Sequence, residues 1–204
     1  MKILKWVFGI VLGIIALVLI VAIFLPSEYR FERSIVIEAP PEVVYEQVVE
    51  LHNWDNWGPW VAMEVEVDGK ISDNSRGVGA WMEWSGDTIG DGRAEIIEVR
   101  EAELVRSQLE TGGWVGIDIW ELEAVPEGTR ATWANEGELD YPLGRLMGPF
   151  LDGMLDDMYM TGLRNLKEYV ENEAMQMQAM EPLADTTATD MENAEMNMPE
   201  GTTE

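Results

Sequence analysis

Arg33–Leu51 reads RSIVIEAPPEVVYEQVVEL, and its two halves follow different periods. Taken with the residues just before it, the first half alternates. Tyr29, Phe31, Ile35 and Ile37 interleave with Arg30, Glu32, Ser34 and Glu38, the period of a strand with one buried face. Arg33 falls on the apolar parity and Val36 on the polar one, so the alternation is imperfect. After Pro40 the period changes. Pro41 suits a first helical turn and Glu42 complements the positive helix start. Val44, Val48 and Leu51 then recur at helical spacing. The stretch predicts a strand that passes directly into a short helix crossing one end of a sheet.

The segment that follows, Asn53–Trp60, reads NWDNWGPW and spends three of the nine tryptophans of the chain. Beyond it the texture is strand and turn. VAMEVEVDG (61–69), GVGAWMEWSG (77–86), GDTIGDGRAEIIEV (86–99), ELVRSQLE (103–110), WVGIDIWELEAV (114–125) and PEGTRATWANEGEL (126–139) are short β-type runs. Gly, Asp and Pro punctuate them, as in an antiparallel meander. GDTIGDG has acids and glycines but not the spacing of a calcium loop, and reads as a turn. After Tyr141-Pro142, apolar residues from Phe150 to Val170 repeat at three- and four-residue steps, an amphipathic helix. Pro149 suits its first turn, and about Glu171 is its expected end. From Glu173 onward there is no Lys or Arg. Residues 173–204 are expected to be a disordered acidic, Met-rich tail.

Upstream of the strand, Trp6–Leu25 contains no charged residue. Twenty residues at about 1.5 Å each cover the roughly 30 Å hydrocarbon core. Bulky Ile23-Phe24-Leu25 stands where a signal peptidase requires small residues, which favours an uncleaved anchor. The segment 1–27 is therefore expected to tie the chain to a membrane in a single pass. Lys2 and Lys5 would stay in the cytoplasm, leaving the domain (28–172) on the periplasmic or extracellular side.

Composition removes whole classes of chemistry. There is no cysteine and one histidine, His52. Disulfides, thiolate sites and His-rich metal centres are excluded. The net charge of −26 repels phosphate backbones, so no nucleic-acid partner is expected. The tail pairs Met175/Met177 and Met196/Met198 lack His or Cys support for soft metals, and neither a metal nor another cofactor is expected.

RSIVIEAPPEVVYEQVVEL, NWDNWGPW, GVGAWMEWSGD, EGTRATW and GLRNLKEYVE occur in that order between Tyr29 and Glu171. In this the chain resembles the START-like SRPBCC superfamily, which includes polyketide cyclase/dehydrase-like and lipid-transfer proteins. The resemblance implies an α+β helix-grip fold, a curved antiparallel sheet of about seven strands around a long C-terminal helix. It also implies an internal cavity, which in that superfamily commonly holds lipids, sterols or polyketides. Superfamily membership does not by itself assign a ligand.

Candidate ligand contacts are the large apolar side chains. Trp54, Trp57 and Trp60 can plug the end of the sheet, line a cavity mouth or touch the membrane. Trp84, Trp120 and Trp133 lie on strands, and Met154 and Met158 stand one turn apart on the long helix. Ordinary core packing is the commoner use of each. Weak catalytic candidates are Glu83, Asp118 and Glu121, carboxyl groups that a strand can carry inward. Strand parity sets Glu83 and Glu121 opposite Trp84 and Trp120, so they cannot share one cavity without a bulge. Three functions follow. A cavity with apolar walls favours a binding module for a hydrophobic or amphipathic, lipid-like molecule. A buried carboxylate facing an open cavity favours a cyclase/dehydratase-type enzyme. A filled core favours a structural or interaction domain.

Overall fold

In a computed structural model of the chain, residues 2–60, 68–86 and 90–196 are described, the side chains of Lys2, Asp68 and residues 176–196 excepted. The order is α1 (Lys2–Phe24), β1 (Glu28–Ile37), α2 (Pro41–Val49), α3 (Trp54–Trp57), β2 (Asp68–Ile71), β3 (Trp81–Ser85), β4 (Gly92–Arg100), β5 (Leu104–Thr111), β6 (Trp114–Val125), β7 (Gly128–Glu138) and α4 (Leu143–Met196). The seven strands form one antiparallel sheet in the order β1-β7-β6-β5-β4-β3-β2. Six strands follow as a meander, and β1 closes on β7. The strand expected over 61–69 is present as Asp68–Ile71, and residues 61–67 lie outside the described ones.

Register fixes which residues face inward. Trp120 pairs with Trp133, and Asp118 with Asn135. Arg33 pairs with Trp133, Phe31 with Asn135 and Ile35 with Ala131. Directly opposed residues share a face, so these side chains all point toward α4. Between Ile96 and Glu98 the β4–β5 register shifts by one residue. Such an extra residue bends and twists a strand, which helps the sheet to curve.

Arg33 breaks the apolar pattern of β1 for a visible reason. Its guanidinium lies 4.3 Å over the Phe31 ring and reaches Asp156 at 2.5 Å and Asp152 at 3.2 Å on α4. The β1 and α4 elements are joined again where Lys167 Nζ donates to Val36 O at 2.8 Å. Against the sheet α4 sets Tyr159, Leu163, Leu166 and Val170, all buried. Gly162 lets the helix approach closely: a Cβ there would stand 2.7 Å from the Trp133 ring.

The long helix exceeds the sequence expectation at both ends. It begins at Leu143, so Pro149 sits within it rather than at its first turn. Gly144 and Gly148 let the early turns pack on Leu139; a Cβ at Gly148 would be 2.7 Å from Leu139 Cδ1. At the other end the backbone stays helical past Glu171 to Met196. Residues 172–181 (NEAMQMQAME) are rich in strong helix formers, and that propensity needs no apolar stripe. The expected disorder of the tail concerns residues whose side chains lie mostly outside the described ones.

The α1 helix is apolar and largely unburied, with Ile3–Phe24 long and hydrophobic enough to cross a membrane. Ala22 is its one fully buried residue among those described.

Candidate functional site

The tryptophan connector does two jobs. Four terminal carbonyls of an α-helix lack intrahelical partners, here those of Glu46, Gln47, Val48 and Val49. Asn53 Nδ2 donates to Glu46 O at 3.1 Å, Trp57 Nε1 to Gln47 O at 3.1 Å and Trp54 Nε1 to Val48 O at 2.9 Å. Gly77 N–H donates to Val49 O at 3.3 Å. The indoles thus satisfy the end of α2 while their rings pack elsewhere. Trp57 is edge-on to Trp120 at 5.4 Å and to Trp133 at 6.2 Å. Trp120 and Trp133 stack at 4.7 Å, and Trp133 meets Tyr159 at 4.3 Å.

Beside this cluster, toward β2 and β3, the interior opens into a cavity of about 310 Å³. That is the lower end of the roughly 300–1,000 Å³ typical of ligand sites. Its walls are mostly apolar and include Trp54, Trp60, Trp84, Trp133 and Met158. Trp57 and Trp120 are not on that wall; they are buried behind it. Met154 is 62% exposed and points away from the sheet. Glu83 and Glu121 lie on the outer face, where Arg93 pairs with Glu83 at 2.7 Å and Arg30 stands 3.8 Å from Glu121. Of the three carboxylates considered, Asp118 alone reaches the cavity.

Asp118 is the centre of a buried polar network. Asn135 Nδ2 donates to its Oδ1 at 2.6 Å and Tyr159 OH to the same oxygen at 2.9 Å. Tyr29 OH in turn donates to Asn135 Oδ1. Burial pushes the Asp118 carboxyl up to about 6, and the hydrogen bonds from Asn135 and Tyr159, with the nearby positive end of the Trp133 N–H, oppose that rise. The Trp133 N–H stands near the carboxylate but outside hydrogen-bond geometry, and is left buried without a partner among the described residues. The phenols of Tyr159 and Tyr29 are both raised, first by burial and then by the Asp118 charge.

Sequence reasoning missed Asn135, Tyr159 and Tyr29 as site residues. Asn135 shares strand parity with Trp133, and a polar residue on an inner face was the available signal. Tyr159 sits between Leu155 and Leu163 at four-residue steps. A phenol at that position on a core stripe announces a buried hydroxyl needing a partner. His52 is exposed and pairs with Glu50 at 3.0 Å, far in role from this site. No group of three metal-ligating side chains occurs among the described residues.

These features define a helix-grip protein of the START-like SRPBCC superfamily. Residues 28–171 match the family described as polyketide cyclase / dehydrase and lipid transport, and the chain belongs to that family. The fold is similar to that of protein CV1439 from Chromobacterium violaceum, at 21% identity and a TM-score of 0.52, covering 72% of this chain and 99% of that one. KanY protein matches with a TM-score of 0.56 at 12% identity, over 72% and 99% of the two chains. Protein NE0264 from Nitrosomonas europaea gives 0.51 at 15%, over 73% and 97%. At these identities the likeness is one of fold. No curated protein matches the chain.

An acid with a higher pKa folded than unfolded holds its proton more tightly in the native chain. Its contribution to stability therefore falls as pH rises from 3.8 to about 6. Asp118→Asn keeps an acceptor for Asn135 and Tyr159 but cannot ionise. Above that window the variant should gain up to about 3 kcal/mol relative to its position below it. Denaturant unfolding of the full chain in detergent, repeated across the window, measures this. A variant-minus-native difference that is flat with pH would mean that Asp118 titrates like an exposed carboxylate.

Proposed function

We propose that the protein is a membrane-tethered binding module for a hydrophobic or amphipathic small molecule. The supporting observation is the 310 Å³ cavity between sheet and α4, walled by tryptophan rings and Met158. Broad apolar surfaces gain from taking alkyl or ring systems out of water, by about 25 cal/mol per Å². Membership of a family described by lipid transport and polyketide chemistry agrees with that use. The apolar α1 helix would hold the cavity next to a bilayer, a reservoir of such molecules. Lys2 and Lys5 at its start favour a cytoplasmic N-terminus and an outward-facing domain.

A second reading is favoured by Asp118. A carboxyl with a pKa of about 6 on a cavity wall is suited to take and return a proton near neutrality. An enzyme of the cyclase/dehydratase type would use it so. Binding without turnover separates the first reading from this one, as does binding that survives Asp118→Asn.

The binding reading is tested with the full chain in nanodiscs and the neutral fluorescent reporter N-phenylnaphthylamine, with empty nanodiscs as blank. Saturable binding above the blank is expected. Trp60→Ala, which removes a partly buried ring of the cavity wall, should weaken it at a smaller loss of stability than a fully buried ring would cost. Trp57→Ala, fully buried behind the wall, should instead cost about 3–5 kcal/mol of stability. Absence of saturable binding to the native chain would defeat the reading.

Orientation is checked separately by protease added to intact spheroplasts. Removal of the folded region is expected, and full protection until lysis would reverse the topology.

A further inference from the structure

We infer that the cavity selects an uncharged apolar molecule carrying a hydroxyl group, and rejects one ending in a carboxylate or phosphate. This rests on the binding reading above and specifies what that site takes. The charged groups on the cavity wall are Asp55 and Asp118, and no Lys, Arg or His is among the lining residues. An anionic headgroup would enter a space that already holds the buried Asp118 carboxyl, with the exposed Asp55 at its rim and no cation among the lining residues, an unfavourable arrangement.

Two polar functions that the wall leaves open are complementary to a hydroxyl. Trp133, only 6% exposed, keeps an indole N–H without a partner among the described residues. A buried donor left unpaired costs free energy that a ligand acceptor recovers. Asp118 accepts both of its hydrogen bonds on Oδ1, which leaves Oδ2 as an acceptor. A hydroxyl is donor and acceptor at once. Its oxygen can receive the Trp133 N–H while its proton goes to Asp118. A carboxylate can satisfy only the first of these, with its charge against that of Asp118.

The test displaces N-phenylnaphthylamine from the full chain in nanodiscs with decanol and with decanoate, near neutral pH, after subtraction of partition into empty nanodiscs. Decanol should displace at least about tenfold more effectively than decanoate, one decade of affinity. In Asp118→Asn the gap should narrow to within about threefold. Trp133→Phe removes the N–H together with the five-membered part of the ring, so it is measured beside the isostere 3-benzothienylalanine at position 133, which keeps the bicyclic stacked ring and exchanges only the N–H for sulfur. Each should weaken decanol several-fold, the isostere with the unfolding midpoint little changed, a loss that a purely structural indole would not produce. Decanoate equal to decanol on the native chain, displacement by neither, or an unaltered decanol affinity in either position-133 variant would each overturn the hydroxyl assignment while leaving reporter binding intact. Failure of the reporter itself to bind would remove the binding reading beneath it.

A separate observation concerns α4. Its first three turns carry a stripe of unpartnered apolar residues: Leu143 (73% exposed), Met147 (46%), Phe150 (64%) and Met154. Steps of four, three and four residues place them on one side of the helix. Asp152 and Asp156 lie on the other side, bound to Arg33. We propose that this stripe lies in the outer leaflet of the bilayer that α1 crosses. Tyr141 OH donates to Leu19 O at 3.1 Å. Leu19 is six residues before Leu25, so at about 1.5 Å per residue it stands about 9 Å inside the end of the span. The Tyr141 hydroxyl is thus level with hydrocarbon, and the stripe begins two residues further on, at Leu143. Asp140 and Asp157 bracket the stripe outside its apolar limits.

Because the chain has no cysteine, single labels are unique. Bimane on Phe150→Cys and on Glu168→Cys is compared in phosphatidylcholine nanodiscs. The first should be quenched by nitroxide on lipid chains and shielded from aqueous iodide, and the second the reverse. Equal iodide quenching at both sites would overturn the proposal. So would shielding at residue 150 seen only with two chains per disc, which would assign the face to a second copy. A chain that does not enter nanodiscs at all would instead refute α1 as an anchor.

Discussion

The indole of Trp57 is held at both ends, and the arrangement of the interior depends on that. Its N–H completes the C-terminus of α2, and its ring edge meets the stacked faces of Trp120 and Trp133. A helix end left with bare carbonyls inside a protein is costly. Capping by an aromatic donor satisfies it and adds apolar area in the same step. The consequence is geometric. The short helix pair is fixed against the β6–β7 part of the sheet, where α4 also packs through Gly162 and Tyr159. The rings fill that part of the core completely. Toward β3 and β2 no comparable ring stack reaches, and the cavity lies there.

Asp118 occupies the boundary between the filled part and the open part. Holding a carboxylate there is unfavourable, as its raised pKa reflects. Two donors on one oxygen recover part of the cost, and the second oxygen accepts no hydrogen bond among the described residues. A structural polar network would gain from closing on itself. This one leaves an unpaired indole N–H and an acceptor side by side. Incomplete satisfaction at an otherwise well-packed position is the observation on which the proposed hydroxyl contact rests.

How much of this was legible follows from what carried it. Alternation in β1 and β6, proline at the start of α2, and the three- and four-residue steps of α4 are local signals, and they specify the helix-grip architecture. Arg33 looked like an error in the β1 pattern because its partners, Asp152 and Asp156, are more than a hundred residues away and no period links them. The same holds for Asp118. Parity set it on the Trp120 face, yet its donors come from β7 and α4, and long-range register alone shows that Asn135 and Tyr159 converge on it. Met154 was misleading for a different reason. It belongs to the apolar spacing of α4, but that helix carries two apolar stripes. Tyr159 to Val170 face the sheet, whereas Leu143 to Met154 face outward. A one-dimensional period does not distinguish a core stripe from one with another destination.

Two apolar stripes on one helix also constrain how the molecule can sit. The sheet fixes the rotation of α4 through Leu163, Leu166 and Val170, which are fully buried. Since the helix is continuous, that rotation sets the direction of the Leu143–Met154 stripe three turns earlier. The α1 helix is joined to the same place, through Tyr141 to Leu19 and through the bond from Leu139 N–H to Ser27 O at 2.8 Å. An anchor on a free linker would leave the domain to tumble above the membrane. Here only Leu25, Pro26 and Ser27 separate α1 from β1, and Ser27 in that turn and Leu19 within α1 are both bonded to the segment leading into α4. With α1 in a bilayer, as proposed, the attitude of the cavity toward it would be set by the packing of the core, and changes in the sheet–α4 interface would alter orientation as well as stability.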